Sequence, residues 1–334
     1  MAIDVVKPGF ATTVQDLGRP GYYHLGIPLS GAMDRYALRA ANLLVGNDEG
    51  DAGLEAVFMG PELRFTSDTT VAVTGAELPP KVDGESCPTW TAFRLRAGQT
   101  LSFGVLKKGA RGYIAVSGGI DVPPVLGSRS TYALCTLGGF KGRGLQAGDA
   151  LVVGAAKRPA KEGKAVPEAL RRGPGAAPEL RVLTGLYWDR ITAESGKRFF
   201  EDTWKVAPEA DRVGYRFRGG RPLALVERKQ PFGAGSDPSN IVDSCYPYGS
   251  IQVPGGTEPI VLHRDAVSGG GYFMLGTVIS ADMDFIGQMQ PHTPTRFVSV
   301  DMRQALAARR DRNHMLQELR AALGFVDFIN VGRC

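Results

Sequence analysis

Tyr113-Ile114-Ala115-Val116 is a short apolar run that ends at the turn-forming pair Gly118-Gly119. Runs of β-branched and aromatic residues that are bounded by glycine are typical of strands. The same pattern recurs along the chain, at residues 71–74, 151–153, 180–183, 250–253 and 259–262. Many short strands with turn residues between them predict a mainly β protein, built from sandwiches or barrels.

Helical patterns are few, and each one ends at a recognisable stop. Residues 32–45 have helical spacing before Gly46-Asn47, and residues 301–323 have it before Gly324. A further helix is predicted within residues 186–203. The pair Asp83-Gly84 between strand-like residues predicts a hairpin turn. We therefore expect a few short helices in a mainly β fold.

The length of 334 residues favours two domains. Residues 155–178 read AAKRPAKEGKAVPEALRRGPGAAP, a composition of proline, glycine, alanine and charge that is typical of linkers. We predict a first domain over residues 1–155, a linker over 156–178 and a second domain over 179–334.

Composition excludes several classes of protein. Hydrophobic residues make up 43% and charged residues 22%, as in ordinary globular proteins. Neither a signal peptide nor a membrane-spanning run is present, so a cytoplasmic protein is expected. The net charge of +5 is modest and no basic run alternates with aromatic residues, so neither nucleic acid nor a membrane is an expected partner.

The sequence contains no common catalytic motif and little material for a metal site. Its four cysteines are far apart and form no CxxC pair, which argues against zinc and fits a reducing compartment. Only four histidines are present, so no metal is expected. No lysine has the context of a biotin-attachment site, and any biotin must therefore come on another chain or as a ligand.

Three glycine-containing turns carry polar residues that are candidates for chemistry. In residues 26–34, Ser30 or Asp34 could cap the following helix, or the helix start could present N–H groups to a ligand. Residues 237–243 offer serine, asparagine and aspartate side chains, although an ordinary turn would look the same. In residues 265–272, three glycines would allow backbone amides to approach a ligand, and such amides could hold a developing oxyanion.

Taken together, ordered blocks of the sequence resemble a known family. The chain looks like allophanate hydrolase subunit 2, also called the KipA family or the family of 5-oxoprolinase C subunits. It is also similar over nearly its full length to the C-terminal half of the carboxyltransferase domain of urea carboxylase. Residues 118–132 are the most specific block. The others are residues 7–9, 12–16, 18–21, 26–28, 30–34, 39–47, 54–55, 60–61, 74–76, 249–254 and 277–282.

The resemblance implies a fold, partners and a cofactor. The fold is two cyclophilin-like β-barrel domains. The partners are a protein similar to KipI or to the 5-oxoprolinase B subunit, together with biotin carrier and biotin carboxylase components. Biotin takes part as carboxybiotin on a partner protein and is not bound covalently, and ATP acts only through partner subunits.

Three functions are compatible with the resemblance. The first is transfer of a carboxyl group from carboxybiotin to the nitrogen of a small urea- or amide-like substrate. The second is lactam opening as the C subunit of an ATP-dependent 5-oxoprolinase, and the third is a non-catalytic KipA-type regulator that binds a kinase inhibitor. Met274 stands where the 5-oxoprolinase branch has lysine, whereas Pro238-Ser239-Asn240 and Asp243 match the urea carboxylase branch. Carboxyl transfer is therefore favoured, and Asp237 in place of a histidine leaves urea itself open.

The resemblance also assigns site residues. Asn240, Asp243 and Asp265 are the predicted catalytic residues, which would orient the acceptor nitrogen and take its proton. Backbone amides near Gly270 and Gly271 would hold the ureido oxygen of carboxybiotin as the carboxyl group leaves, in a pocket between the barrels. The full set of predicted substrate- and biotin-binding residues is Ser30, Met33, Asp34, Asn42, Ser239, Gln252, Ser268, Gly270, Gly271 and Tyr272.

Overall fold

The computed structural model describes residues 2–173 and 177–325, and within them strands dominate. The helices are α1 (Arg35–Leu44), α2 (Ala193–Glu201), α3 (Met283–Ile286) and α4 (Met302–Ala322). The helices predicted within residues 32–45, 186–203 and 301–323 are confirmed, and α3 is one short turn that the sequence pattern did not predict. No helix in the described ranges is both long and apolar enough to cross a membrane.

The first of two compact units contains residues 2–17, 35–172 and 310–325. Its strands are β1 (Ala2–Lys7), β2 (Ala11–Gln15), β3 (Gly53–Val57), β4 (Glu62–Phe65), β5 (Thr69–Glu77), β6 (Pro80–Val82), β7 (Glu85–Ser86), β8 (Ala92–Leu95), β9 (Thr100–Phe103), β10 (Lys108–Val116) and β11 (Ala150–Val152). They form a six-stranded sheet in the order β11-β1-β4-β9-β6-β7 and a five-stranded sheet in the order β2-β3-β10-β5-β8. Apolar side chains from both sheets, such as Phe65 and Ile114, share one core.

The predicted hairpin turn lies between β6 and β7 and is confirmed. Asp83 has a φ of 50° and Gly84 a φ of 92°. A two-residue turn with positive φ at both positions matches the twist of the two strands, and aspartate and glycine tolerate that conformation. The sequence pair therefore fixes this connection locally.

An ion pair closes the segment that leads into β11. Arg143 donates through Nη1 and Nη2 to the two carboxylate oxygens of Asp149, each at 2.8 Å, and the Gln146 N–H donates to the same carboxylate at 2.7 Å. The hydrogen bonds from Arg143 are the main cause that lowers the pKa of the Asp149 carboxyl. Asp149 therefore stabilises the fold only while it is ionised.

We expect Asp149→Asn to lower the free energy of unfolding by about 2 kcal/mol at neutral pH, because it removes these charge-assisted hydrogen bonds. The pKa of Asp149 is lower in the folded state than in the unfolded state, where it is about 3.9. Its contribution to the free energy of unfolding is therefore fully present above about pH 3.9, and it is lost as the pH falls through the pKa of the folded state. Urea denaturation at a series of pH values measures this. The difference between wild type and variant should shrink below about pH 4, and a constant difference would contradict the assignment.

The second unit contains residues 18–34, Gly173 and residues 177–309. Its strands are β12 (Glu179–Thr184), β13 (Trp204–Val206), β14 (Gly214–Arg218), β15 (Asn240–Cys245), β16 (Ser250–Gln252), β17 (Ile260–Leu262), β18 (Gly269–Tyr272), β19 (Met274–Val278) and β20 (Pro294–Ser299). Seven of them form a closed barrel in the order β12-β19-β16-β17-β14-β13-β20, and the parallel pair β12–β20 closes it. Aromatic side chains fill the core, where the Phe199 and Phe297 rings stack at 4.7 Å.

The prediction of a mainly β protein with a few short helices is confirmed. A closed barrel, as the resemblance implied, is present in the second unit. In the first unit the described strands form two sheets around a common core rather than one closed ring. Cys87, Cys135 and Cys245 are free thiols, and Cys334 lies outside the described residues.

The two units differ in their boundaries from the predicted domains of residues 1–155 and 179–334. The chain passes between units after Leu17, Asp34, Arg172 and Arg309, and the passage at Arg172 lies within the predicted linker. Much of that linker packs on the first unit, where Lys157 pairs with Asp48 at 2.6 Å. The end of α4 belongs to the first unit, where Arg320 pairs with Glu49. These ion pairs join distant parts of the sequence, which composition does not reveal.

Candidate active site on a two-stranded ribbon

Two of the predicted polar turns form one antiparallel ribbon in the second unit. Strand β15 pairs with β18 so that Asn240 lies opposite Tyr272, and Ser244 lies opposite Gly270. The register shifts between these two pairs. The shift interrupts the alternation of the strand, and Val242 and Asp243 are both exposed. The fold thus joins residues 237–243 and 265–272 in one structure.

The glycines of β18 are explained by close packing inside the ribbon. A Cβ atom on Gly270 would lie 3.1 Å from a ring carbon of Tyr246, and one on Gly271 would lie 3.3 Å from the Ile241 carbonyl oxygen. A Cβ atom on Gly269 would lie 3.2 Å from the Ser244 carbonyl oxygen. These contacts are tight, so the glycine run lets β15 and the Tyr246 ring approach the β18 backbone closely.

The ladder also decides where the backbone amides of β18 point. The Tyr246 N–H donates to the Ser268 carbonyl oxygen at 2.8 Å. In an antiparallel ladder the directions of the backbone groups alternate, so those of Gly270 point toward Ser244 and those of Gly269 point to the opposite edge. By the same alternation, the amides of Gly269 and of the predicted Gly271 both point to the open edge, whereas the amide of the predicted Gly270 does not.

Tyr246 holds β18 in place, and the sequence analysis did not identify it. Its hydroxyl donates to the Tyr272 carbonyl oxygen at 2.7 Å and accepts from the Tyr272 N–H at 2.8 Å. Burial, the largest effect, raises the pKa of Tyr246 above its usual value of 10.0, so the phenol stays protonated. Gln252, a predicted ligand-binding residue, lies at the end of β16 in the barrel and is 8% exposed.

We expect Tyr246→Phe to lower the free energy of unfolding by about 2 kcal/mol, because it leaves both backbone groups of Tyr272 without this partner. Chemical denaturation measures the loss, and hydrogen exchange at the Tyr272 amide should become faster. Tyr187→Phe is a suitable control, since this half-buried tyrosine makes no hydrogen bond to the described residues through its hydroxyl. Unchanged exchange at Tyr272 in the Tyr246 variant would show that the hydroxyl does not hold the strand.

Three predicted residues on the ribbon have side chains without internal partners. The side chains of Asn240, Asp243 and Ser268 make no hydrogen bond or ion pair with any residue that the structure describes. Asp243 is exposed, and its Oδ1 lies 3.6 Å from the position of a Cβ on Gly269. The carboxylate thus lies close to Gly269. These polar groups are available to a ligand.

A cation lies beside Asn240. Arg190 donates through Nη1 to the Asn240 carbonyl oxygen at 3.3 Å, and its guanidinium lies 5.2 Å from the centre of the Tyr187 ring. Burial and then the nearby charge of Arg228 lower the pKa of Arg190 below its usual value. The Arg190 Nε is buried without a hydrogen-bond partner among the described residues. No motif in the sequence singled out this arginine.

Asp265, a predicted catalytic residue, is tied to an arginine. Arg212 donates through Nε to Oδ2 at 2.7 Å and through Nη2 to Oδ1 at 3.2 Å. The Arg212 Nη2 also donates to the Gly31 carbonyl oxygen at 2.8 Å. Asp265 is 6% exposed, so both carboxylate oxygens are occupied in a nearly closed environment. This geometry supports a structural anchor.

Ser239 is likewise engaged in a turn. Its hydroxyl donates to Oδ1 of Asp237 at 2.7 Å and accepts from the Gly255 N–H at 3.0 Å. The hydrogen bonds from the Ser239 hydroxyl and N–H lower the pKa of the Asp237 carboxyl. Asp237, which replaces a histidine of the urea carboxylase branch, therefore orders the start of β15 as an anion.

The residues predicted from the 26–34 cluster are also buried within the second unit. Ser30 accepts from Nη1 of Arg19 at 3.0 Å through its hydroxyl and has a φ of 51°. Met33 belongs to the hydrophobic core, and Oδ2 of Asp34 accepts from Nε2 of Gln288 at 2.9 Å. Their contacts are those of a structural segment.

Asn42 lies in the first unit, whereas the ribbon lies in the second. Its Nδ2 donates to the carbonyl oxygens of Glu49 and Asp51, at 3.3 and 2.8 Å, and its Oδ1 accepts from Asn47 at 3.0 Å. The ribbon itself gathers six of the predicted residues: Asn240, Asp243, Ser268, Gly270, Gly271 and Tyr272. Over the described ranges, no three histidine, cysteine, aspartate or glutamate side chains are grouped as a metal site would require.

Comparison with known proteins gives the family. Residues 25–299 match the model of the carboxyltransferase domain, subdomains A and B. The chain belongs to this carboxyltransferase family. The resemblance seen in the sequence is thereby confirmed.

This carboxyltransferase-family chain has relatives of two kinds. It is 36% identical to the 5-oxoprolinase C subunit of Escherichia coli (strain K12) over 319 residues, which are 95% of this chain and 97% of that protein. It is 34% identical to urea amidolyase of Saccharomyces cerevisiae over 330 residues, which are 95% of this chain and 18% of that protein. The crystal structure of the K. lactis urea amidolyase matches with a TM-score of 0.89 and 33% identity, over 95% of this chain and 20% of that one. The chain thus spans about a fifth of the urea amidolyases.

Proposed function

We propose that this carboxyltransferase-family chain is an enzyme subunit that moves a carboxyl group from carboxybiotin on a carrier protein to a urea- or amide-like nitrogen. A KipI-like subunit would act with it, and biotin carboxylase would load the carrier. The observation that carries the proposal is a set of polar side chains on the ribbon, Asn240, Asp243 and Ser268, that have no partner within residues 2–173 and 177–325. The cation of Arg190 lies beside Asn240.

The ribbon has the donors that a biotin ureido group requires. The ureido carbonyl accepts hydrogen bonds, and the open edge of β18 offers the Gly269 amide with the Ser268 hydroxyl next to it. Since β18 is glycine from Gly269 to Gly271, no side chain obstructs an approach to this edge. Biotin, when bound, supplies the carboxyl group on a ureido nitrogen.

The chain's own residues would then act on the acceptor. The Asn240 side-chain amide can both donate to and accept from a urea- or amide-like group, and so orient it. The Asp243 carboxylate would accept the proton that the acceptor nitrogen loses, and Arg190 would hold the negative charge of the carboxyl group. Because such a nitrogen is only weakly acidic, positioning must contribute much of the rate.

Reconstitution tests this function. The chain is combined with its KipI-like partner, a biotin carboxylase and a biotinylated carrier, and labelled bicarbonate, ATP and a panel of small ureas and amides are supplied. We expect ATP-dependent incorporation of label into one acceptor, and avidin should block it. Label that reaches the carrier but no acceptor in the panel would count against transfer by this chain.

Lactam opening is the second candidate, because this chain covers 97% of a 5-oxoprolinase C subunit, which is a separate protein of similar length. Met274, at the position where that branch has lysine, packs against Tyr246, Leu262 and Ala266 and supplies no charge. Release of glutamate from 5-oxoproline by the complex, independent of bicarbonate and insensitive to avidin, would favour this candidate over carboxyl transfer.

A further inference from the structure

Arg264 is a buried cation whose side chain has no hydrogen-bonding partner among the residues that the structure describes. It follows β17 in the second unit and is 2% exposed. Its Nε and Nη2 atoms are shielded from solvent, and neither has a hydrogen-bond partner in residues 2–173 or 177–325. No carboxylate in those ranges forms an ion pair with it. A guanidinium remains charged in proteins, so its burial without an acceptor is costly and needs an explanation.

Two other arginines of the same unit show which kind of group the edge formed by Nε and Nη2 binds. Arg212 uses Nε and Nη2 to hold Asp265, at 2.7 and 3.2 Å. Arg181 uses the same two atoms to hold Asp282, at 3.0 and 2.6 Å. In both cases the edge matches the two oxygens of a planar carboxylate. Arg264 offers the same edge, and the described residues place no acceptor there.

Aromatic residues surround the Arg264 guanidinium but do not satisfy this edge. Its central carbon lies 4.7 Å from the centre of the Tyr248 ring. In a cation–π contact the guanidinium lies over the face of the aromatic ring. The N–H donors in the plane of the guanidinium are not hydrogen-bonded by this contact. Burial raises the pKa of the Tyr23 phenol, and the positive charge of Arg264 opposes that rise. An anion at the free edge would complete this arrangement.

We propose that Arg264 binds a planar carboxylate-type anion, either bicarbonate or the carboxylate of an organic ligand, through its Nε and Nη2 atoms. Entry requires a local opening, since both atoms are sealed from solvent. Tyr23 is half-buried on a short turn whose neighbours His24 and Leu25 are exposed, and it is the side chain that we expect to move. The site concerns binding by this chain alone, so it does not depend on the proposed carboxyl transfer.

Thermal denaturation of the full chain tests the site. Sodium acetate and sodium bicarbonate are titrated separately at fixed pH, and sodium chloride keeps the ionic strength constant. A ligand that binds only the folded state raises the Tm in a saturable way, by roughly 3 °C at about ten times its Kd. We expect this rise in wild type with at least one of the two anions, and its loss in Arg264→Met.

Matched variants separate this site from general salt effects. Arg296→Met removes an exposed arginine from β20 of the same barrel and should keep the full rise in Tm. In chloride alone, Arg264→Met should be at least as stable as wild type, because it removes an uncompensated buried charge. Should that variant not fold, Arg264→Lys keeps the charge without the two-donor edge, and it should also lose the rise.

The outcomes are distinct. A rise with bicarbonate only assigns the inorganic anion, and a rise with acetate assigns an organic carboxylate. An equal rise with sulfate, an unchanged rise in the Arg264 variants, or no rise in wild type with either anion would overturn the proposal.

Discussion

Asp265→Ala is expected to lower the free energy of unfolding by about 3 kcal/mol, although the resemblance assigns Asp265 to catalysis. The carboxylate and its partner Arg212 are both largely buried, with side chains 7% and 17% exposed. Removing the carboxylate breaks two charge-assisted hydrogen bonds from the Arg212 guanidinium. Breaking a largely buried ion pair by removing one partner costs about 3–5 kcal/mol, so the loss is large.

Urea denaturation of the wild type and the variant measures this loss. The double variant Arg212→Met with Asp265→Leu removes both charges, and it should recover most of the stability because no charge is left unpaired. If Asp265→Ala is as stable as wild type and only carboxyl transfer is lost, then Asp265 is a catalytic residue and not an anchor.

Asp243→Asn, in contrast to Asp265→Ala, should lower catalytic activity and leave the stability of the fold unchanged. We expect the kcat of carboxyl transfer in the reconstituted complex to fall by about 100-fold or more, the usual contribution of a positioned general base. The free energy of unfolding should stay within about 0.5 kcal/mol of wild type, because the carboxylate is exposed and has no hydrogen-bond or ion-pair partner among the described residues. Asparagine keeps the shape of the side chain and removes its proton affinity.

Asp311→Asn is the control for this prediction, since Asp311 is exposed on α4 and its side chain has no hydrogen bond or ion pair to the described residues. Its kcat should match wild type. Asn240→Ala should raise KM for the acceptor as well as lower kcat, because we assign Asn240 to orientation. A wild-type kcat in Asp243→Asn would remove Asp243 from the mechanism and leave proton transfer to another group.

Three aspartates show why sequence matching located the predicted site but could not tell which of its carboxylates is available for chemistry. Asp237, Asp243 and Asp265 are similar in sequence, as short acids in or beside glycine-containing turns. In the fold, Ser239 ties Asp237, Arg212 ties Asp265, and Asp243 alone stays open. The decisive partner of Asp265 lies 53 positions away, so no local motif contains it.

The sequence by itself determined the features that depend on neighbouring residues. Apolar runs bounded by glycine predicted strands such as β5 and β10, the pair Asp83-Gly84 predicted its hairpin, and Gly324 predicted the end of α4. Ordered sequence blocks also identified the carboxyltransferase family. Backbone propensity and turn geometry act over a few residues, and so a linear pattern records them.

Only the tertiary structure decided which polar groups are free to act. It paired β15 with β18, turned the Gly270 amide toward β15, and gave Tyr246 its role at Tyr272. It also buried Arg264 without an acceptor in the described part of the chain. Hydrogen bonding and burial depend on which distant segments meet, and that is set by the pairing of strands rather than by residue type. The availability of a side chain is therefore a property of the fold, even where its identity is plain in the sequence.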